Sequence, residues 1–499
     1  MGKTRGENRN ASDVAAITLG GRFLMFIGRT MYLGRFGANP LLNTFAFAIQ
    51  VPTVLSTLAQ TALSTVMIPV YNSLLAKENH AEAKKFIDNV ISISLVLLGL
   101  LAIAGIAAAP VISSVVGSGE NAAYLTFTLR ILMPVMLFFG FGAVFQGILQ
   151  SHGSFLLPAL VSAPGGIVLI GYIIFLGDTF GVTGLIFATL FGAALQPLIL
   201  IPAIRRLGYR YRFSIDFTDK NVRAAGRLCV PVLVSVGAYQ VHFIFGHLMA
   251  YRLGVADFLD YTQQLVQVFI LVMVASVIAV YFPKLSALWA KADISEYCKY
   301  LRNAVTYTFF LVLPAACGLF VLRFEIVDFL LSWRESEYLT EENIRMAGNL
   351  MGFYAIGIIA ISLKEVSDRA FYSAKDSKTP AIFGVIIMLV NISAIVILLP
   401  HFGAYAIPAA YAVAAFIGCG GLLVKLYFKT KFVNHALVLD FIKIIAASGI
   451  MVGAALVGRS LNFTDIRIVK LIVPAVFGAA AYFAAAFLFK ISVLRRTKR

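Results

Sequence analysis

Long apolar runs alternate with short polar loops along almost the whole chain. The runs fall at about fourteen places: 13–36, 41–73, 85–115, 122–150, 155–177, 180–204, 224–250, 258–283, 300–332, 344–373, 378–400, 403–428, 436–459 and 466–491. A helix needs about 20 apolar residues to cross the hydrocarbon of a bilayer. The short in-out alternation of an outer-membrane barrel is absent from the pattern. Inside a bilayer every backbone polar group needs a partner within the protein, so these runs are read as helices. The pattern predicts an all-α polytopic membrane protein with about fourteen transmembrane helices.

The pattern also repeats. Pro69-Val-Tyr-Asn-Ser-Leu-Leu-Ala-Lys77 returns as Pro283-Lys-Leu-Ser-Ala-Leu-Trp-Ala-Lys291, and Phe155-Leu-Leu-Pro-Ala159 returns as Ser377-Lys-Thr-Pro-Ala381. The apolar runs that follow stay in step, so that Phe180-Gly181 answers Phe402-Gly403. An apolar chain with a duplicated half is the mark of a two-lobed transporter whose substrate path lies between the lobes.

Composition sharpens this picture. The chain is 60% hydrophobic and 13% charged, whereas soluble domains are nearer half apolar and a quarter charged. A net charge of +17 invites a nucleic-acid reading, but the bases sit in short loops, as the positive-inside rule expects. Lys84, Lys85, Arg205, Arg206, Arg210, Arg212, Lys375, Lys378 and the tail Arg495–Arg499 fall on one side. The other side carries chiefly Arg35, Arg252, Arg334 and Arg459, beside an acidic stretch with Glu335, Glu337, Glu341 and Glu342. An even number of spans with both termini in the cytoplasm follows. The four cysteines are scattered, which indicates neither a disulfide framework nor a zinc site. No cofactor is expected, because the chain has neither a GxxxxGK[ST] phosphate loop nor an HExxH metal motif.

The expected plan has a cytoplasmic tail (1–12), an N-lobe of six spans (13–204) and a cytoplasmic inter-lobe loop (205–223). A C-lobe of six spans (224–428), two further spans (429–491) and a basic tail (492–499) complete it. The 205–223 loop is expected to lie on the anionic inner leaflet.

The run Arg369-Ala-Phe-Tyr-Ser-Ala-Lys-Asp-Ser-Lys-Thr-Pro380 resembles the signature of the MurJ/MviN family, lipid II flippases of the MOP exporter superfamily. Phe36-Gly37-Ala38, Pro52 and Pro283-Lys-Leu-Ser agree with it, and the resemblance covers nearly the whole chain. It implies a two-lobed fold with two extra C-terminal helices that line a groove for a lipid tail. It also implies a bacterial inner-membrane protein, not an enzyme, that serves peptidoglycan biosynthesis, cell wall biogenesis and cell shape. Its partners would be membrane lipids and a lipid-linked glycan, undecaprenyl-diphosphate-disaccharide-pentapeptide, moved between leaflets by alternating access. Coupling to an ion or to the membrane potential stays open. A diphosphate and a sugar-peptide head cannot cross hydrocarbon unaided, because burying unpaired charge is costly.

Candidate substrate-binding residues follow. Arg22 and Arg29 lie within the first span, seven residues apart, and can share one face. A guanidinium fork suits a diphosphate. Snorkelling of Arg29 to the interface is the plainer reading. Asn43, Gln50 and Gln60 in the second span, Gln240 and His242 in the seventh, and Gln263, Gln264 and Gln267 in the eighth offer groups for sugar hydroxyls or peptide. Interhelical hydrogen bonding is the competing role. Relatives carry further arginines where this chain has Ser56 and Gln264. The seventh span has no acid between Arg227 and Asp257, which disfavours sodium binding there, while Asn391 is a weak ion ligand candidate. Lys364, Glu365, Asp368 and Arg369 cluster in the tenth span, with Glu365 and Arg369 spaced to pair. Gating is one reading of this cluster and a structural anchor is the other. Asp376 is expected to cap the following helix, and Asp440 to pair with Lys443. Competing functions are export of another polyprenyl-linked oligosaccharide, a MATE-like cation-coupled antiporter, and a polyprenyl-phosphate enzyme.

Overall fold

The computed structural model describes residues 2–76, 79–117, 120–332, 339–461 and 466–496. Expectations for Lys77, Arg334, Glu335, Glu337, Lys498 and Arg499 concern positions outside these. Among the described residues all regular structure is helical. Two compact units form, Met1–Asp257 and Phe258–Arg499. Among the described residues eleven helical stretches are long and apolar enough to cross a membrane, and one of them, Lys378–Thr430, is two helices that meet at Gly403.

The first unit contains α1 (Gly2–Phe36), α2 (Pro40–Ala62), α3 (Ile68–Ala76), α4 (His80–Val116) and α5 (Glu120–Leu132). It continues with α6 (Val135–Ser151), α7 (Leu156–Ala159), α8 (Ala163–Phe175), α9 (Gly177–Arg206) and α10 (Lys220–Arg252). Several expected single spans are broken. The run 41–73 is α2 and α3 joined by a π turn at Leu63–Met67. The run 122–150 is α5 and α6, separated at Met133-Pro134, where proline removes a backbone donor. The run 155–177 is α7 and α8, joined by a 3-10 turn at Leu160–Ser162. Small residues let α1 and α8 approach closely: a β-carbon on Gly166 would stand 2.7 Å from the Leu24 carbonyl carbon. Asn39 caps α2, accepting from the Leu41 amide at 2.9 Å, and Pro40 supplies the first helical position.

The second unit contains α11 (Ala256–Ala290, from Phe258 on), α12 (Ile294–Val321), α13 (Arg323–Leu331), α14 (Glu341–Ser373) and α15 (Lys378–Phe402). Then come α16 (Ala406–Thr430), α17 (His435–Ser460), α18 (Arg467–Leu488) and α19 (Ser492–Arg496). The expected span 300–332 is α12 and α13, broken at Leu322. Helix α14 is central and packs on α12 and α16, with 67% of its apolar window buried, against 17% for the window in α15–α16. Helix α15 therefore shows most of its apolar surface outward, as lipid-facing helices do, while α16 is buried along the side that meets α14 and α15. Helices α17 and α18 pack on each other, and α17 also packs on α12. Asp440 accepts from the Ser492 hydroxyl at 2.6 Å and the Ser492 amide at 3.4 Å. It holds the start of α19 and is not joined to Lys443 among the described residues, correcting that expectation.

The sequence duplication has a backbone counterpart. Gly181 kinks α9 at φ 54°, ψ −144°, and Gly403 ends α15 at φ 54°, ψ −131°. That region is open to glycine because a β-carbon would clash there. The unit boundary also differs from the expected lobe boundary in the 205–223 loop. It falls after α10, because α10 packs along α2.

Candidate functional site

In the first unit, polar groups line α1, α2 and α10. Arg22 is exposed on α1 and Arg29 is half-buried. Gln50 and Gln60 on α2 and Gln240 on α10 are half-buried, whereas His242 is buried beside the Tyr239 ring, 4.7 Å between centroids. Asn43 is corrected as a substrate ligand. Its amide donates to the Tyr251 carbonyl at 3.1 Å and its carbonyl accepts from the Ala256 amide at 2.7 Å. Both ends of the side chain are used to tie α2 to the end of α10.

A further feature of α2 was not anticipated. Gln50, Thr53, Thr57 and Thr61 follow three- and four-residue spacing and form one half-buried stripe. Each threonine hydroxyl donates to the carbonyl four residues back, at 2.7, 2.9 and 2.8 Å. Such back-bonding bends helices and leaves hydroxyl oxygens able to accept from a ligand. The spacing is present in the sequence, but threonine also packs between membrane helices, so it carries little signal by itself.

In the second unit, Gln263 is buried, Gln264 half-buried and Gln267 exposed, so the α11 row runs from packed to open. The α14 cluster pairs differently from expectation. Lys364 donates to Asp368 at 2.6 Å, with both side chains largely buried. Among the described residues no ion pair joins Glu365 to Arg369. The Arg369 guanidinium instead lies near the Phe282 and Tyr372 rings, at 5.9 and 6.0 Å. Asp376 accepts from the Thr379 amide at 3.1 Å and hydroxyl at 3.0 Å, and from Lys429 at 3.3 Å. Burial works to raise its pKa, but the Thr379 bonds and Lys429 outweigh this and hold it below its ordinary value. Its capping role at the start of α15 is thereby explained. Asp257 and Asp260, buried near the start of α11, were not among the candidates. The Asp257 carboxylate accepts from the Ala38 amide at 3.3 Å.

The second unit also holds an apolar groove of about 400 Å³ among α11, α12, α17 and α18. Phe269, Met273, Pro314, Met451, Ala475 and Phe483 are among its walls. Tyr482 also lines it, but its hydroxyl donates to the Phe310 carbonyl at 2.7 Å. The groove therefore offers hydrocarbon surface to a ligand.

A family model described as "Lipid II flippase MurJ" matches residues 34–477. The chain belongs to the MurJ family. A probable lipid II flippase MurJ from Rhizobium meliloti is 25% identical over 457 residues, 89% of this chain and 85% of its own length. One from Bdellovibrio bacteriovorus is 24% identical over 514 residues, covering 98% and 96%. The fold matches a solved structure described as "Lipid II flippase MurJ, inward closed conformation". The TM-score is 0.82 at 22% identity, covering 96% of this chain and 99% of that one. A MATE family transporter of the MOP superfamily also matches, with a TM-score of 0.66, 15% identity and 82% of this chain covered.

MurJ family membership places the chain among multi-pass proteins of the bacterial inner membrane. At the two positions where the resemblance implies arginines, the side chains differ in confinement. Ser56 is fully buried, and its hydroxyl donates to the Pro52 carbonyl at 2.5 Å. An arginine there would have to displace packed neighbours, so this position does not stand ready to receive a cation. Gln264 is half-buried and less confined.

Proposed function

We propose that this chain moves lipid II, an undecaprenyl-diphosphate-linked peptidoglycan precursor, from the inner to the outer leaflet by alternating access. Both termini face the cytoplasm in this reading. The observation that carries it is the apolar groove built with α17 and α18, a surface suited to a prenyl chain. Burial there would gain about 0.8 kcal/mol per methylene. Arg22 is assigned to the diphosphate and the Gln50–Thr61 stripe of α2 to the sugar-peptide head. Movement draws on the membrane potential or an ion gradient, and α10 has no acid between Arg227 and Asp257 to hold sodium. The α14 cluster and Asp376 are assigned to structure, with any gating role confined to Lys364–Asp368.

Purified protein in proteoliposomes with fluorescent lipid II tests this directly. Movement of the probe to the far leaflet without chemical change is expected, whereas turnover of the probe would indicate an enzyme. Arg22→Ala is expected to abolish movement while leaving the protein inserted and folded. Ala479→Trp, at an exposed position in the groove wall, is expected to block the tail and do the same.

A second reading, flipping of another polyprenyl-linked oligosaccharide, is favoured by Ser56 and Gln264 standing where relatives carry arginines. Transport of such a lipid in preference to lipid II would select it. A MATE-like antiporter is disfavoured by the smaller share of this chain that the MATE fold covers, 82% against 96%.

A further inference from the structure

The first unit contains a second cavity, of about 920 Å³, among α4, α6, α9 and the loop that follows α9. Its floor is apolar, with Leu95, Phe138, Phe141, Leu198 and Ile201. Its mouth is basic and aromatic, with Arg205, Arg210, Tyr211 and Phe213. The volume lies within the roughly 300–1,000 Å³ of small-molecule sites.

The loop that roofs this cavity is fixed in place. Asp88, buried on α4, accepts from Tyr209 at 2.6 Å, from Lys84 at 2.6 Å and from the Arg212 amide at 3.2 Å. Ser92 accepts from the Ser214 amide at 3.0 Å, and Ser214 donates to Asn89 at 2.6 Å. Lys85 pairs with Asp216 at 2.8 Å and with Asp219 at 3.9 Å. Burial first, then the Asp88 carboxylate, hold the Tyr209 phenol above its ordinary pKa, so it stays a donor. The loop is thus docked on α4. The nearby acids are occupied by these partners. Among the described residues Arg205 and Arg210 have no carboxylate partner.

We propose that this cavity binds an anionic glycerophospholipid of the cytoplasmic leaflet, with an acyl chain on the phenylalanine floor and the phosphate on Arg205 and Arg210. Charge complementarity selects this occupant: a fixed apolar slot ends at two arginines on the side that the charge pattern assigns to the cytoplasm. The inference goes beyond the transport reading and does not depend on which lipid is flipped.

The test uses full-length purified protein, stripped of lipid and exposed to phosphatidylglycerol carrying a photoreactive acyl chain. Crosslinks are expected at residues 138–145 and 194–201, competed by phosphatidylglycerol and not by phosphatidylcholine. The double variant Arg205→Gln/Arg210→Gln should lower labelling at least about tenfold, since each base near a membrane adds about 1 kcal/mol of attraction, roughly fivefold. Leu198→Trp, at an exposed floor position, should block labelling while leaving both arginines in place. Equal competition by phosphatidylcholine, or labelling spread over all lipid-facing helices, would overturn the proposal. So would preferential capture of a photoreactive polyprenyl phosphate.

Discussion

The same ion pair occurs twice in this protein, in two environments. On α4, Lys84 donates to Asp88 at 2.6 Å, and on α14, Lys364 donates to Asp368 at 2.6 Å, each pair four residues apart. Both oxygens of Asp88 are engaged: the Tyr209 phenol and the Arg212 amide share one, and Lys84 holds the other. Its lysine remains 39% exposed. Asp368 has a buried lysine, and among the described residues its second oxygen has no hydrogen-bond partner. The difference teaches that one pair is a hub holding a loop, while the other keeps charge inside a helix bundle with its needs incompletely met. Buried, partly satisfied charge is costly and is retained where a protein uses it.

The comparison can be broken at several points. Lys364→Met leaves Asp368 buried beside a neutral group and should destabilise the protein by about 3–5 kcal/mol. Thermal unfolding in detergent would read this, and Lys364→Met/Asp368→Leu should recover most of the loss. A single variant as stable as the parent would show that the α14 pair is not desolvated. Asp88→Ala should cost less, about 1–3 kcal/mol, because Lys84 can turn to water while Tyr209 and the Arg212 amide lose their acceptor. Its effect should concentrate as faster hydrogen exchange over 209–219. Tyr209→Phe removes one hydrogen bond to Asp88 and should cost about 1–2 kcal/mol. Equal losses in the Asp88 and Tyr209 variants would mean that the phenol is the only contact that matters.

The smallest expected effect is on pH. The hydrogen bond from Lys85, then those from Thr218, hold the exposed Asp216 carboxyl well below its ordinary 3.8. A depressed carboxyl contributes stability above its unfolded pKa and loses it as pH falls through the folded value. Loop protection should therefore stay constant from about pH 8 to pH 5, after correction for intrinsic exchange, and fail only in stronger acid. Loss of protection near neutral pH would mean that another group governs the loop.

Much of the fold was legible in the chain. Apolar run length is a direct consequence of bilayer thickness, and the duplication was visible in its prolines and in Gly181 and Gly403. Helix breaks were less legible: the π turn at Leu63–Met67 and the break at Leu322 have no proline or glycine of their own to mark them. The site was harder still. Asn43 reads as a polar group inside a span, whether it holds a sugar or, as here, two backbone groups. Glu365 and Arg369 have the right spacing to pair, but Lys364 and Asp368 have the same spacing, and among the described residues it is Lys364–Asp368 that forms. The docking of 207–219 on α4 rests on contacts more than a hundred residues apart in sequence, such as Tyr209 to Asp88, which local pattern does not encode.

The most direct test of the central claim is complementation in bacteria depleted of their own lipid II flippase, with precursor exposure on the outer leaflet scored chemically. Flipping of lipid II by this chain predicts restored exposure and growth, lost again in Arg22→Ala and Ala479→Trp. No restored exposure from a well-expressed, correctly inserted protein would contradict it.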